Sequence, residues 1–125
     1  MILGVGIDII EVTRIAASYE KFGERFVNRI LLPDEIAYCR SHRHPAPFLA
    51  ARFAAKEAIS KAFGTGIGPA LSWHDMEICR KESGEPFVVL HGKGETLFKS
   101  RKAKRLLVSL SHTANYAAVV AVLEG

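Results

Sequence analysis

Cysteine, long apolar runs and repetition are what this chain has least of. Its 125 residues contain two cysteines, Cys39 and Cys79, and neither belongs to a C-x-x-C pair or to dense, even spacing. A secreted disulfide framework is thereby excluded, and a reduced, cytoplasmic interior is the expectation. No apolar run approaches the length a membrane span needs. The apolar start Met1–Ile10 lacks a basic leading region and is interrupted by Asp8, so it reads neither as an export signal nor as an anchor. Internal repeats, low-complexity tracts and linkers are also missing. With 49% hydrophobic residues the chain can build a core unaided, and a single domain over residues 1–125 is expected.

What is present begins with charge. The balance of 17 basic against 13 acidic residues gives a net +4. A basic protein favours an anionic partner, be it nucleic acid, a phosphorylated small molecule or an acidic protein, and charge alone does not choose among them.

Hydrophobic periodicity supplies the elements. Residues 2–9 place Leu3, Val5, Ile7 and Ile9 on one parity and Gly4, Gly6 and Asp8 on the other, a strand with one greasy and one bare face. Short helices are predicted over 13–22 and 24–31, broken at Gly23, and a third from Pro33 to about Ser41. A long helix runs from about Pro47 to Phe63, where Gly64 can adopt the left-handed conformation that closes a helix. Met76–Arg80 and Phe87–Leu90 read as a hairpin and 93–102 as a basic helix. Leu106–Leu110 and Tyr116–Leu123 read as two further strands. Helices mostly first and strands mostly last make an α+β layout.

The long helix is the chemical centre. It carries Arg52/Lys56 and Glu57/Lys61 at i,i+4, two pairs set roughly 140° apart around an otherwise apolar helix. No single polar face can turn both pairs to water, so some of these charges need partners. Asp8 is the only charge in its strand, and Gly4 and Gly6 leave the space beside it open to another element or a ligand. It either bonds backbone amides at the next helix or serves such a ligand. Two carboxylates from distant segments, Asp8 and Glu57, are the minimum protein set for Mg²⁺, which completes its shell with water and substrate phosphates; Lys61 could then touch those phosphates.

Other constellations fare worse. The Gly64–Gly68 run follows a helix, whereas phosphate-cradling glycine loops follow a strand, so a nucleotide-fold reading fails; a helix cap or close approach by a ligand remains. Ser111 and His112 point to opposite faces of a strand and lack a third member, which argues against a hydrolase. Cys39, His42 and His44 match no common zinc spacing. Lys99, Arg101, Lys102, Lys104 and Arg105 form a basic run without interleaved aromatics, a poor nucleic-acid surface. A small nucleic-acid-binding domain using that run is the rival from another class.

Three blocks, Gly4–Val12, Arg52–Gly68 and Val108–Thr113 with Tyr116–Ala118, carry in order and spacing a resemblance to the short type of 4′-phosphopantetheinyl transferase. The resemblance covers nearly the whole chain. It implies an α+β fold, mainly antiparallel sheet packed against a long central helix, with subunits in a homotrimer whose clefts lie at the interfaces. It also implies transfer of the phosphopantetheine arm of coenzyme A to a serine of apo acyl carrier protein, with Mg²⁺ on the pyrophosphate. Carried over, Asp8 and Glu57 become metal ligands and Lys61 neutralises the departing pyrophosphate. Gly64 and Gly66 line the coenzyme cleft, and His112 lies near the coenzyme. Glu57 or a metal-bound water is the expected base, with Glu35 a lesser candidate to orient that water. Arg14, Lys21, Arg25 and Arg29 would dock the acidic carrier protein. The long Gly92–Arg105 region departs from short members of the family.

Overall fold

An alternating strand and a small-residue helix lie against each other at the centre of the molecule. The computed structural model describes residues 1–125. Strand β1 spans Ile2–Glu11, followed by helices α1 (Val12–Phe22), α2 (Glu24–Ile30), α3 (Pro33–Arg40) and α4 (Ala46–Phe63). A 3-10 turn at Trp73–Asp75 leads into the hairpin β2 (Met76–Arg80) and β3 (Pro86–Leu90). Helix α5 (Gly92–Ser100) and the strands β4 (Arg105–His112) and β5 (Tyr116–Glu124) complete the chain. The predicted elements all occur, with ends moved by a residue or two. The 3-10 turn escaped sequence reading because three residues are too short to show a period.

The strands form two antiparallel sheets, one of order β1-β5-β4 and one of β2-β3. Helix α4 packs on β1 and β5, and the parity of β1 explains how. Its bare side faces inward: a Cβ on Gly4 would stand 1.9 Å from the Ala62 carbonyl oxygen, and one on Gly6 1.8 Å from that of Ala58. Glycine is obligatory at both, because the α4 backbone occupies the side-chain space. Ala50, Ala51, Ala54, Ala55, Ala58 and Ala62 of α4 are all buried. The open space beside Asp8 that the sequence implied is thus filled by a helix.

The greasy side of β1 faces outward. Val5, Ile7 and Ile9 are 58%, 66% and 66% exposed. They pair in register with Val122, Val120 and Ala118 of β5, which in turn face Leu107, Ser109 and Ser111 of β4. Three strands therefore present one largely apolar open face, larger than the scattered exposed apolar residues normal for a monomer.

One of the two buried charges of α4, Lys56, finds its partners as required. Lys56 donates to Glu35 Oε1 at 2.7 Å, the Ile30 carbonyl at 2.7 Å and the Trp73 carbonyl at 3.2 Å. Glu35 also accepts from the Leu32 amide through Oε1 and the Ile78 amide through Oε2. Burial pushes the Lys56 ammonium below its ordinary pKa while Glu35 opposes the shift. This corrects the expectation for Glu35: a fully enclosed carboxylate with both oxygens engaged is not free to orient a water at a reaction centre.

Candidate active site

Asp8 and Glu57 approach each other because β1 and α4 run antiparallel in close contact. Gly6 against Ala58 and Gly4 against Ala62 fix the alignment. Asp8 follows two residues after Gly6, on the same parity, and Glu57 precedes Ala58. The Asp8 side chain is 18% exposed. Glu57 is half-buried, and its pKa is raised first by burial and next by the charge of Asp8, with Lys61 opposing. A carboxylate whose ionisation is opposed by burial and by a second carboxylate beside it belongs to a donor set short of positive charge, and a divalent cation supplies it. No cluster of three or more His, Cys, Asp or Glu side chains exists to hold a metal without help. Two carboxylates suit an ion that takes its remaining ligands from phosphate and water, so the residues present fit Mg²⁺.

Lys61 completes the group, though not through the i,i+4 pair that spacing suggested. Its Nζ donates to Asp8 Oδ1 at 3.1 Å and to the Ile7 carbonyl at 2.9 Å, reaching across to β1 and leaving Glu57 without an ion pair. The lysine side chain is half exposed, so it is free to exchange Asp8 for an incoming anion.

Gly64 closes α4 with φ 79°, as its position predicted, and the amides of Thr65 and Gly66 both return to the Ser60 carbonyl. The space over Gly64, Gly66 and Gly68 is open. Gly64 and Gly66 are needed for positive φ, whereas nothing in the chain's own backbone or packing demands glycine at 68.

His112 is not brought to this end. It sits where β4 ends, in T-shaped contact with Phe48 at 5.0 Å between centroids. Phe48 and Gly64 are separated by the length of α4, roughly 24 Å at the helical rise. A cavity of about 280 Å³ adjoins His112 and is lined also by Phe48, Arg52, Arg80 and Ser111. Arg52 is 1% exposed, lies 4.3 Å above the Tyr38 ring, and has a buried Nε without a partner. A buried guanidinium N–H left without a partner beside a cavity calls for a water or an anionic ligand to satisfy it. The sequence offered Arg52 only as half of the Arg52/Lys56 pair, one of several charges in an apolar helix that need partners, and not as a ligand group.

Arg14 and Lys21 on α1 and Arg25 and Arg29 on α2 are all exposed. Arg25 and Arg29 border a hollow of about 280 Å³ whose other walls are Ser18, Phe22 and Phe26. Phe22 is 49% exposed. Cations around an apolar floor suit a helix that is acidic at its rim and apolar at its centre. The basic run is largely engaged within the chain. Arg101 donates to the Phe63 and Leu3 carbonyls, Lys99 pairs with Glu95 and Arg105 with Glu124. That leaves the nucleic-acid rival little free charge.

Residues 4–121 match the family described as the 4′-phosphopantetheinyl transferase superfamily. The chain is 48% identical over 124 residues to a holo-[acyl-carrier-protein] synthase of Koribacter versatilis, with 99% of each chain covered. To one of Chlamydia trachomatis it is 50% identical over 121 residues, covering 97% of this chain and 98% of the other. A crystal structure of holo-[acyl-carrier-protein] synthase from Neisseria meningitidis superposes with TM-score 0.93 at 34% identity, covering all of both chains. One from Helicobacter pylori, in complex with coenzyme A, does so with TM-score 0.86 at 33% identity, covering 96% of this chain and 99% of the other.

Proposed function

The chain belongs to the 4′-phosphopantetheinyl transferase superfamily, and from that premise we propose that it converts apo to holo acyl carrier protein at the Asp8–Glu57–Lys61 group. The substrates are coenzyme A and the carrier's acceptor serine, and the second product is adenosine 3′,5′-bisphosphate. The observation that carries the reading is the convergence of two carboxylates and a half-exposed lysine from segments some fifty residues apart in sequence.

In the reaction the serine oxygen bonds to the β-phosphorus of coenzyme A, the bond to the bridging pyrophosphate oxygen breaks, and the serine proton is lost. Asp8 and Glu57 would hold Mg²⁺, which when bound supplies Lewis-acid polarisation of the phosphate oxygens. Lys61 leaves Asp8 for the pyrophosphate and neutralises the charge that grows on the leaving group. Glu57 would accept the serine proton as general base. The open glycines at 64 and 66 let the coenzyme approach the backbone. Arg52 and His112 suit a phosphate at the other end of α4. Arg14, Lys21, Arg25 and Arg29 attract and orient the acidic carrier protein.

The separation of His112 from Gly64 gives the site a subunit requirement. One protomer offers the two halves at opposite ends of its central helix, and the exposed apolar face of β1, β5 and β4 is where copies would meet. A homotrimer joins the Gly64 end of one protomer to the His112 end of the next and covers that face. Ile7→Asp, a charge placed in the middle of it, should yield monomers in sedimentation and abolish turnover.

The deciding assay is mass spectrometry of apo carrier protein incubated with coenzyme A, Mg²⁺ and this protein. A gain equal to phosphopantetheine is expected. An unmodified carrier would leave a coenzyme-binding protein without transferase activity.

A further inference from the structure

The close packing of β1 on α4 sets how near the two elements lie but does not by itself set the rotation of α4. Where the backbones of α4 and β1 come closest they touch through Gly4, Gly6, Ala58 and Ala62, with Lys61 reaching across at the exposed edge. Glycines and methyls set how near two elements come, whereas rotation and register are locked by large side chains that interdigitate. A group about 6 Å from a helix axis moves about 1 Å when the helix turns about 10°. A misplacement of about 1 Å can cost about 100-fold in rate.

Several large side chains of α4 are buried in the core, Leu49, Arg52, Ile59 and Phe63 among them, but Lys56, adjacent to Glu57, is the one whose polar head is hydrogen-bonded to other segments. Its ammonium gathers acceptors from three separate segments: the Ile30 carbonyl ending α2, Glu35 in α3 and the Trp73 carbonyl in the 3-10 turn. Glu35 passes the linkage to a fourth, the Ile78 amide of β2. Energetically such a pair is dispensable, because hydrophobic residues of similar volume are often as stable; its distinctive contribution is a unique geometry. Glu35 borders a hollow of about 250 Å³ that includes none of Asp8, Glu57 and Lys61, and with Glu35 2% and Lys56 0% exposed both act through their neighbours.

We propose that Glu35 and Lys56 are positioning residues that fix the rotation and register of α4 and thereby the approach of Glu57 to Asp8. The inference rests on the reading of Asp8 and Glu57 as cation ligands. It predicts that the pair governs cation affinity without contacting the cation, as outer-shell residues do.

The test uses the charge-free double variant Glu35→Gln/Lys56→Met, in which the amide that replaces the carboxylate retains a donor and an acceptor. Mn²⁺ binding in the presence of coenzyme A is read by the electron paramagnetic resonance of the free ion, and folding by circular dichroism. The expected result is a folded protein whose Mn²⁺ affinity is at least about tenfold weaker than the parent's. A folded double variant with affinity within about twofold of the parent overturns the proposal and leaves the pair a matter of stability only. Asp8→Asn serves as the reference: if it binds Mn²⁺ as the parent does, the cation-site reading itself fails, and the proposal with it. Should the double variant not fold, Glu35→Gln alone decides. A severalfold loss of Mn²⁺ affinity supports the proposal and an unchanged affinity overturns it.

Discussion

Helix α4 carries two lysines five residues apart, and they have opposite surroundings. Lys56 is sealed in the interior with Glu35 and two carbonyls, every donor matched. Lys61 is half exposed, reaches across to Asp8, and stands beside Glu57, a carboxylate with no ion-pair partner. One region has resolved its electrostatics within the chain and the other has not. Satisfied charge is architecture, and unsatisfied charge at an accessible edge is where an external ion and substrate enter. Residue type and helical spacing are the same in the two regions, so the distinction comes wholly from what packs over them.

The largest expected effect tests the sealed side. Lys56→Ala leaves Glu35 as a buried, uncompensated charge and should lower stability by about 3–5 kcal/mol, read from the urea midpoint. A loss near zero would erase the contrast by showing that the interior pair is as loosely held as a surface one.

The open side should respond in activity. Asp8→Ala or Glu57→Ala is expected to lower kcat by about 10²–10³ while the unfolding midpoint hardly moves, since neither side chain fills the core. Unaltered turnover in either variant would remove that residue from the reaction centre.

How much of this contrast was legible in the chain itself follows from the range of the interactions. Strand β1, the break at Gly23, the closure of α4 at Gly64 and the hairpin were readable because period and turn chemistry are local. That α4 needed partners for its charges was also readable, because two pairs about 140° apart cannot share one wet face. Which pair would be sealed was not. Glu35 lies 21 residues from Lys56 and Ile78 lies 43 from Glu35, separations at which no spacing rule operates. The inward turn of the bare side of β1 was hidden for a related reason. A strand with Val5, Ile7 and Ile9 on one face looks as if that face were core, unless glycines opposite it are read as a bed for a helix backbone. The site triad was legible mainly through resemblance, since Asp8 and Lys61 lie 53 residues apart.

A smaller effect sharpens the comparison within one residue type. Lys61→Ala removes a half-exposed ion pair and should change stability by no more than about 1 kcal/mol. Activity should fall by about 10² through kcat, with little change in the Michaelis constant for carrier protein. Set against Lys56→Ala, the two substitutions should separate stability from catalysis. A strongly destabilised Lys61→Ala would mean that its contacts with Asp8 and Ile7 hold β1 on α4 and that the open side is architecture too.

The smallest effect concerns the carboxylate left without a partner. The folded protein raises the pKa of Glu57 above its ordinary 4.5, through burial first and Asp8 second. The folded state then binds the proton more tightly than the unfolded one, so stability falls as pH rises from about 4.5 through the raised value, and the deficit persists above it. Glu57→Gln abolishes that titration. In the absence of metal it should be more stable than the parent at pH 7, by less than about 1 kcal/mol because the half-exposed group is screened, and equal to it near pH 4. Thermal midpoints at the two pH values read the difference. The same substitution should remove activity, so a gain in stability would accompany a loss of function. A Glu57→Gln variant no more stable than the parent at neutral pH would mean that the charge of Glu57 is already compensated within the chain, and the open side of α4 would then have nothing left for a cation to repair.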